Sequence, residues 1–339
     1  MVRMLVADVA QSTRLREEEI RPADLFNEYL RLAAIDVGTY FSESDRSPVP
    51  CPACGAAGAV AFAKQGFVYE ECPDCETLFV SPRPPAEAFS RYYTEAPSVE
   101  FWATDFYRAT AESRREKLWR PKARRVVDAI TRHGDERHSV VDIGGGYGIF
   151  AEEIAAIWSH PVTIIEPGPA LAEQCRSRGL QVVQAFLADV ADGDLPPGPR
   201  TFTSFELFEH LHDPLAFLND VASLMASGDL LLMTTLSSHG IDIRSLWDKS
   251  KSVSPPHHVN FFNPVSLRLV LESAGLEVLE VNTPGRLDID IMEGQVDDVD
   301  SRFLRSFLRT ASPDDKAEMQ RLLASSGWSS HIEVIARRP

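Results

Sequence analysis

Positive charge is scarce in this 339-residue chain: 34 Lys and Arg stand against 50 Asp and Glu, leaving a formal net charge of −16 and a pI near 5.0. A surface of that sign repels phosphate backbones, so a nucleic-acid role would need a local basic patch. The best candidate is SRREKLWRPKARR, residues 113–125, and its mixture of Arg, Lys and Glu is what a solvated helix face contains. No apolar run approaches the roughly 18 residues of a spanning helix. The N-terminal MVRMLVADVAQSTRLREEE has an apolar stretch too short for a secretory leader and runs directly into charge, so a cytoplasmic location is expected. Repeats and low-complexity tracts are missing too. The remainder, 44% hydrophobic and 25% charged, is ordinary globular composition. Its length suits two domains, or one large domain with additions.

Cysteine is also sparse, five in all, but four are organised. CPACGAAGAVAFAKQGFVYEECPDC, residues 51–75, places Cys51 with Cys54 and Cys72 with Cys75 as two C-x-x-C pairs. Each pair can bend into a knuckle that offers two thiolates to one ion, and the spacing fits zinc. Four thiolates close a tetrahedron, leaving no position for water or substrate, so the metal is read as structural rather than catalytic. Two disulfides, the alternative, need an oxidising compartment. The fifth, Cys175, lies in the helix-like ALAEQCRSRG and reads as a small buried apolar residue.

The periodicity divides the chain into residues 1–46, an N-terminal helical segment; 47–84, the four-cysteine zinc ribbon; 85–130, a helical connector; and 131–339, an α/β domain. From about residue 138, short apolar runs such as SVVDI, PVTIIE, TFTSFE and DLLLMTTL alternate with helix-length segments. That alternation predicts a mostly parallel sheet with helices on both faces.

The chemistry enters at VVDIGGGYGIF, residues 140–150: a strand, a run of glycines, then a helix. Glycines are needed where the chain turns sharply and a ligand approaches the backbone. The dinucleotide pattern G-x-G-x-x-G fails, because Ile149 stands at its third position. The run instead resembles motif I of the class I S-adenosylmethionine-dependent methyltransferases, D-x-G-x-G-x-G, with Asp142, Gly144, Gly146 and Gly148 in place. The resemblance continues for about 200 residues and implies a Rossmann-like seven-stranded methyltransferase domain, here preceded by N-terminal helices and a small zinc ribbon. It implies that Glu166, ending VTIIEP, grips both ribose hydroxyls, that Asp189 and Leu187 in QAFLADV hold the adenine, and that Tyr147 touches cofactor or substrate. In TFTSFELFEHLHDP, Glu206, Glu209, His210, Asp213 and Pro214 fill the E-x-x-E-H-x-x-D-P places of many family members, and the resemblance implies that the end of this strand, with Glu206, faces the cofactor and its transferable methyl group.

The whole chain is similar to bacterial small-molecule methyltransferases with an N-terminal cysteine ribbon, related to deoxysugar C-methyltransferases. Those usually carry a further C-terminal α/β domain for which this chain has no room. The resemblance implies S-adenosylmethionine as cofactor and a small polar acceptor, such as a sugar, nucleotide sugar or secondary-metabolite precursor. Methyl transfer is an in-line displacement that mainly needs alignment, with a base if the acceptor must lose a proton. His258 and His257, in PPHHVNFF after the fifth strand, are the leading base candidates; they could equally pack and brace a loop. His210 could be a base, a substrate contact, a loop brace or, with Glu206 and Glu209, a ligand to a divalent ion. His331 is read as structural first. An RNA methyltransferase gripping RNA with its ribbon and a non-catalytic cofactor-binding scaffold are the alternatives, the first opposed by the acidic balance.

Overall fold

The computed structural model describes residues 15–339, so residues 1–14 of the expected N-terminal helical segment lie outside the described residues. Helix Ala23–Tyr40 buries Phe26, Tyr29, Ala33 and Asp36, a three-four-three spacing that turns one stripe inward. The buried Asp36 carboxylate accepts from the Ser98 N–H at 2.9 Å. That N–H begins the helix Pro97–Phe101 and has no partner within it. The chain then stays helical to His133, but not with one geometry: π-helical Trp102–Phe106 and Arg115–Trp119 bracket α-helical Tyr107–Arg114, before Arg120–His133.

Three strands build the ribbon: β1 (Ala59–Lys64), β2 (Phe67–Glu71) and β3 (Leu78–Val80). The α/β part carries β4 (Ser139–Ile143), β5 (Val162–Ile165), β6 (Gln181–Val183), β7 (Arg200–Phe205) and β8 (Leu230–Leu236). After β8 come β9 (Asn260–Phe261), β10 (Glu277–Asn282) and β11 (His331–Arg337). Seven of these form one sheet in the order β10-β11-β8-β7-β4-β5-β6. β4 runs parallel to β5 and β7, while β11 is antiparallel to β8 and β10. The mostly parallel sheet predicted from the alternating pattern is therefore present, with an antiparallel pair at one edge. β4, β7 and β8 are buried along their whole length, as strands covered on both faces must be. The chain steps outward from β4 to β5 and β6, then crosses back to the other side of β4 for β7. That reversal opens a crevice outside the carboxyl ends of β4 and β7.

Helices Asp288–Gly294, Arg302–Thr310 and Pro313–Ser326 fill the connection between β10 and β11. They pack around Leu246, Met292, Leu308 and Leu323, a satellite core that the sequence pattern did not reveal. No helix among the described residues is long and apolar enough to cross a membrane.

The two cysteine knuckles are built alike. Gly55 N–H bonds to the Cys51 carbonyl at 2.9 Å and Glu76 N–H to the Cys72 carbonyl at 2.9 Å, and both Gly55 and Glu76 sit at positive φ. The Sγ atoms of Cys51 and Cys75, of Cys54 and Cys72, and of Cys54 and Cys75 are each 3.5 Å apart. Four thiolates about 2.3 Å from one zinc would stand roughly 3.8 Å from each other, so the set fits a tetrahedral ion with little adjustment.

The ribbon is sewn into the α/β part. β9 pairs antiparallel with β3, adding a fourth strand to the ribbon sheet. Buried Arg83 donates to the His212 carbonyl and to Asn260 Oδ1. Asn263 caps the helix Pro264–Ser273 by accepting from Val265 and Ser266 N–H at 3.0 Å, while its Nδ2 donates to the Cys75 carbonyl at 2.7 Å. One side chain thus joins a helix start to the second knuckle. Asn263→Ala should lose the cap and leave the buried Cys75 carbonyl short of its donor, at a cost of about 2 kcal/mol in chemical denaturation. Asn263→Asp, which keeps the cap alone, should fall between; a cost within 0.5 kcal/mol (about the scatter of ordinary surface changes) for both would remove the residue from this role.

Candidate functional site

The first wall of the crevice is the loop after β4. Gly144, Gly146 and Gly148 have φ of 71°, 50° and 69°, the left-handed region that disfavours side chains. Beneath them space is tight: a Cβ on Gly148 would lie 2.8 Å from Cys175 Sγ. Cys175 is fully buried, as its sequence context suggested. The Tyr147 ring stacks on Tyr107 at 4.2 Å and 7°, so it meets the helical connector above the loop.

Glu166, just beyond β5, accepts from Gly146 N–H at 3.0 Å and Gly168 N–H at 2.8 Å, one bond to each carboxylate oxygen. It is buried, and burial raises its pKa against the pull of those two N–H groups. Each oxygen keeps a lone pair for a further donor, such as a hydroxyl. Asp142 lies below the loop: Thr203 Oγ1 donates to it at 2.9 Å, and burial pushes its carboxyl up to about 7. It buttresses the loop from inside. Leu187 and Asp189 share the short turn Leu187–Asp189 at the far end of the crevice, Leu187 half-buried and Asp189 exposed. Phe186 beside them is 57% exposed, a large apolar face that the sequence analysis passed over.

The opposite wall begins at Glu206, which follows β7 at φ 53°, strained for a non-glycine residue. Its Oε1 accepts from Thr234 Oγ1 at 2.7 Å and Lys122 Nζ at 3.1 Å, and His331 Nε2 is 3.7 Å away. Burial works to raise the Glu206 carboxyl, but the facing His331 and Lys122 hold it well below the usual range. His331 is therefore part of this wall.

The structure brings His210, His257 and His258 together, with ring centroids of His210 5.0 Å from His258 and 5.7 Å from His257. His257 is buried, and its Nε2 meets Tyr92 Oη at 2.7 Å. His210 Nδ1 meets Tyr93 Oη at 3.3 Å. His258 Nδ1 lies 2.6 Å from the Ser252 carbonyl, which can only accept. The proton of a neutral His258 ring is thereby fixed on Nδ1, leaving Nε2 as an acceptor. Burial keeps His258 down at about 4 and His210 at about 3, so both rings are neutral at ordinary pH. Glu209 is buried, accepts from Thr235 Oγ1 at 2.8 Å, and is pushed up to about 8 by burial and then by Glu206. One ligand atom each from Glu209, His210 and His258 lies within 4.8 Å of the others, a trio that could hold a cation.

The reading of residues 113–125 as a solvated face needs correction: Arg114 and Lys122 are buried. Lys122 shares the inward stripe of helix Arg120–His133 with Ala123, Val126, Ala129 and Ile130. A lysine on an otherwise apolar stripe was the available signal. Tyr92 and Tyr93 were also missed; nothing local separates them from ordinary core tyrosines.

A family model described as a methyltransferase domain matches residues 111–281, half of the chain. A ubiquinone biosynthesis O-methyltransferase of Xanthomonas euvesicatoria pv. vesicatoria is 29% identical over 154 residues, 42% of this chain and 64% of that protein. Its counterpart in Xanthomonas campestris pv. campestris (strain B100) is 27% identical over the same shares. The chain thus spans less than two thirds of the length of these curated relatives. Among solved structures, the plantazolicin methyltransferase BamL in complex with a triazolic desmethylPZN analogue and S-adenosylhomocysteine is 12% identical, with 74% of this chain and 94% of that one covered and a TM-score of 0.48. An O-methyltransferase from a polyketide multienzyme of Brevibacillus brevis gives 14%, 74%, 79% and 0.44 respectively.

The Asp142 carboxyl titrates higher in the fold than in an unfolded chain. Its contribution to stability is therefore complete below about pH 4 and is lost as the pH rises through about 7. Asp142→Asn should flatten that part of the stability profile in urea unfolding between pH 4 and 8. An unchanged slope would mean that Asp142 ionises without penalty.

Proposed function

This chain belongs to the methyltransferase-domain family, and on that premise we propose that it transfers a methyl group from S-adenosylmethionine to a hydroxyl oxygen of a small polar acceptor. The observation that carries the proposal is the crevice itself. Three left-handed glycines and the doubly bonded Glu166 line one side, and a histidine cluster, His257 buried and His210 and His258 half-buried, with an oriented acceptor nitrogen on His258, lines the other. The names of the curated relatives support oxygen as the acceptor atom. Sugars, nucleotide sugars and secondary-metabolite precursors remain acceptors of fitting chemistry.

S-adenosylmethionine, when bound, supplies a methyl group on a positively charged sulfur. Glu166 would take the ribose hydroxyls, and Leu187, Asp189 and Phe186 the adenine edge. The glycines let the ligand approach the main chain, and Asp142 holds the loop from below. Nε2 of His258, the nitrogen left as an acceptor by the Nδ1 contact to the Ser252 carbonyl, would receive the acceptor's hydroxyl proton during the transfer. Glu206, anchored by Lys122 and Thr234, stays ionised beside the reacting centre. The Cys51, Cys54, Cys72 and Cys75 set would hold a structural zinc, and the ribbon supports the segment that carries His257 and His258.

A second role for the same cluster, binding a divalent cation at Glu209, His210 and His258, is favoured by the closeness of their ligand atoms. Activity lost on mild chelation and restored by magnesium or manganese, with ribbon zinc retained, would select it over the base.

Two variants separate the walls. Glu166→Ala should weaken S-adenosylhomocysteine binding by calorimetry about ten- to a hundred-fold. His258→Ala should bind it normally yet lower turnover by about a hundred-fold or more, read as S-adenosylhomocysteine release over a panel of catechols, phenols and sugars. Near-normal turnover would exclude the base. Metal analysis should find a single zinc per chain; Cys72→Ser should lose it and melt at a lower temperature, whereas a metal-free wild type of equal stability would contradict the structural zinc.

A further inference from the structure

Arg114 keeps only 9% of its surface exposed, and its hydrogen bonds go to neutral acceptors. Nε donates to Thr110 Oγ1 at 3.1 Å and Nη2 to the Ile20 carbonyl at 3.0 Å. Among the described residues Nη1 has no partner, and it is not among the polar atoms sealed from solvent. Nη1 therefore keeps both its hydrogens and Nη2 keeps one, donors enough for a carboxylate to take two bonds from the guanidinium. A buried cation lacking a counter-ion is costly unless an anion arrives.

The position is as telling as the missing partner. The guanidinium lies against Trp102, Phe106 and Tyr107, at 5.5, 5.6 and 5.4 Å from their ring centres, and Tyr107 is the ring stacked on Tyr147 of the glycine loop. Tyr107–Arg114 is the α-helical piece held between two π-helical stretches. Such departures shift side chains out of α-helical register and collect at functional sites. The charges Arg114 feels include Arg21, which repels it, and the Glu206 carboxylate across the crevice. Burial lowers its pKa to about 10, so it remains a cation at neutral pH.

We propose that Arg114 is an anion-reading residue above the glycine loop and that its ligand is a carboxylate, either on the amino-acid end of the bound cofactor or on the acceptor. The inference rests on the methyltransferase reading and adds a binding residue to it.

The test compares wild type, Arg114→Gln and Arg114→Lys as full chains. Calorimetry measures S-adenosylhomocysteine, which carries the carboxylate, and 5′-methylthioadenosine, which lacks the amino-acid end. If the cofactor is the source, Arg114→Gln should bind the first about ten- to a hundred-fold more weakly and the second normally. If the acceptor is the source, both nucleosides bind normally, and acetate or benzoate added to the S-adenosylhomocysteine complex raises the melting temperature of wild type but not of the variant. Equal weakening of both nucleosides, or no difference from wild type in either experiment, overturns the proposal. Should the Gln variant fail to fold, Arg114→Lys decides: the charge survives but the fork does not, so a selective loss of carboxylate binding supports the role and wild-type behaviour overturns it. Failure of wild type to bind either nucleoside would instead defeat the methyltransferase reading.

Discussion

Two residues, Asn260 and Phe261, join the cysteine ribbon's sheet through their pairing with Phe79 and Leu78, and the geometry of the crevice depends on that pairing. The strand is too short to be stable alone, and its place is secured by bonds at both ends. On one side Tyr69 Oη donates to the His258 carbonyl at 2.7 Å; on the other Asn263 reaches the Cys75 carbonyl. Arg83 ties the same strand to the loop carrying His210 by bonding Asn260 and the His212 carbonyl together. The histidines therefore stand on a platform whose lower edge is the four-sulfur cluster. A ribbon attached by a flexible tether could not fix them in this way.

Electrostatics inside the crevice follow from burial more than from net charge. The chain is strongly acidic overall, yet the charges that meet at the carboxyl edge of the sheet are mixed: Lys122 and Glu206 compensate each other, whereas three histidines are held neutral by the apolar and aromatic groups around them. Neutral rings in contact do not repel one another, whereas a charge on one disfavours a charge on the next. The Tyr92 and Tyr93 hydroxyls each meet one ring nitrogen, Nε2 of His257 and Nδ1 of His210, whereas His258 turns Nδ1 to a backbone carbonyl. Three adjacent rings are thus held by three different partners.

What could be read from sequence was what local chemistry dictates. The glycine loop, the acidic residue after the second strand of the sheet and the paired cysteines each need particular residue types at fixed spacing, so their signals survive without a fold. The α/β alternation was legible for the same reason, since fully buried strands must be apolar throughout. The burial of Arg114 was not legible because a basic helix segment looks alike whether it faces water or a crevice, and Lys122 left only its place on an otherwise apolar stripe as a sign. Their burial is decided by where the connector packs, and the π-helical stretches that reorient it leave no mark in the hydrophobic period. The helices between β10 and β11 escaped notice because their satellite core is small and draws Leu246 from a distant segment.

The two knuckles share one backbone design but differ in the residue at its tightest point. Gly55 adopts the left-handed turn without penalty, and its knuckle keeps Cys54 at the surface. Glu76 adopts the same turn against its preference and in return contributes a carboxylate to His239 Nε2 at 2.7 Å and, through its carbonyl, an acceptor to Ser238 at 2.8 Å. One half of the cluster is therefore tied through Glu76 to the segment that follows β8, while the other presents a thiol to solvent. Cys54 is the one exposed sulfur of the four, so a thiol-directed reagent in solution would meet it before the three buried ones, and the knuckle with the freer turn is also the one open to chemical attack.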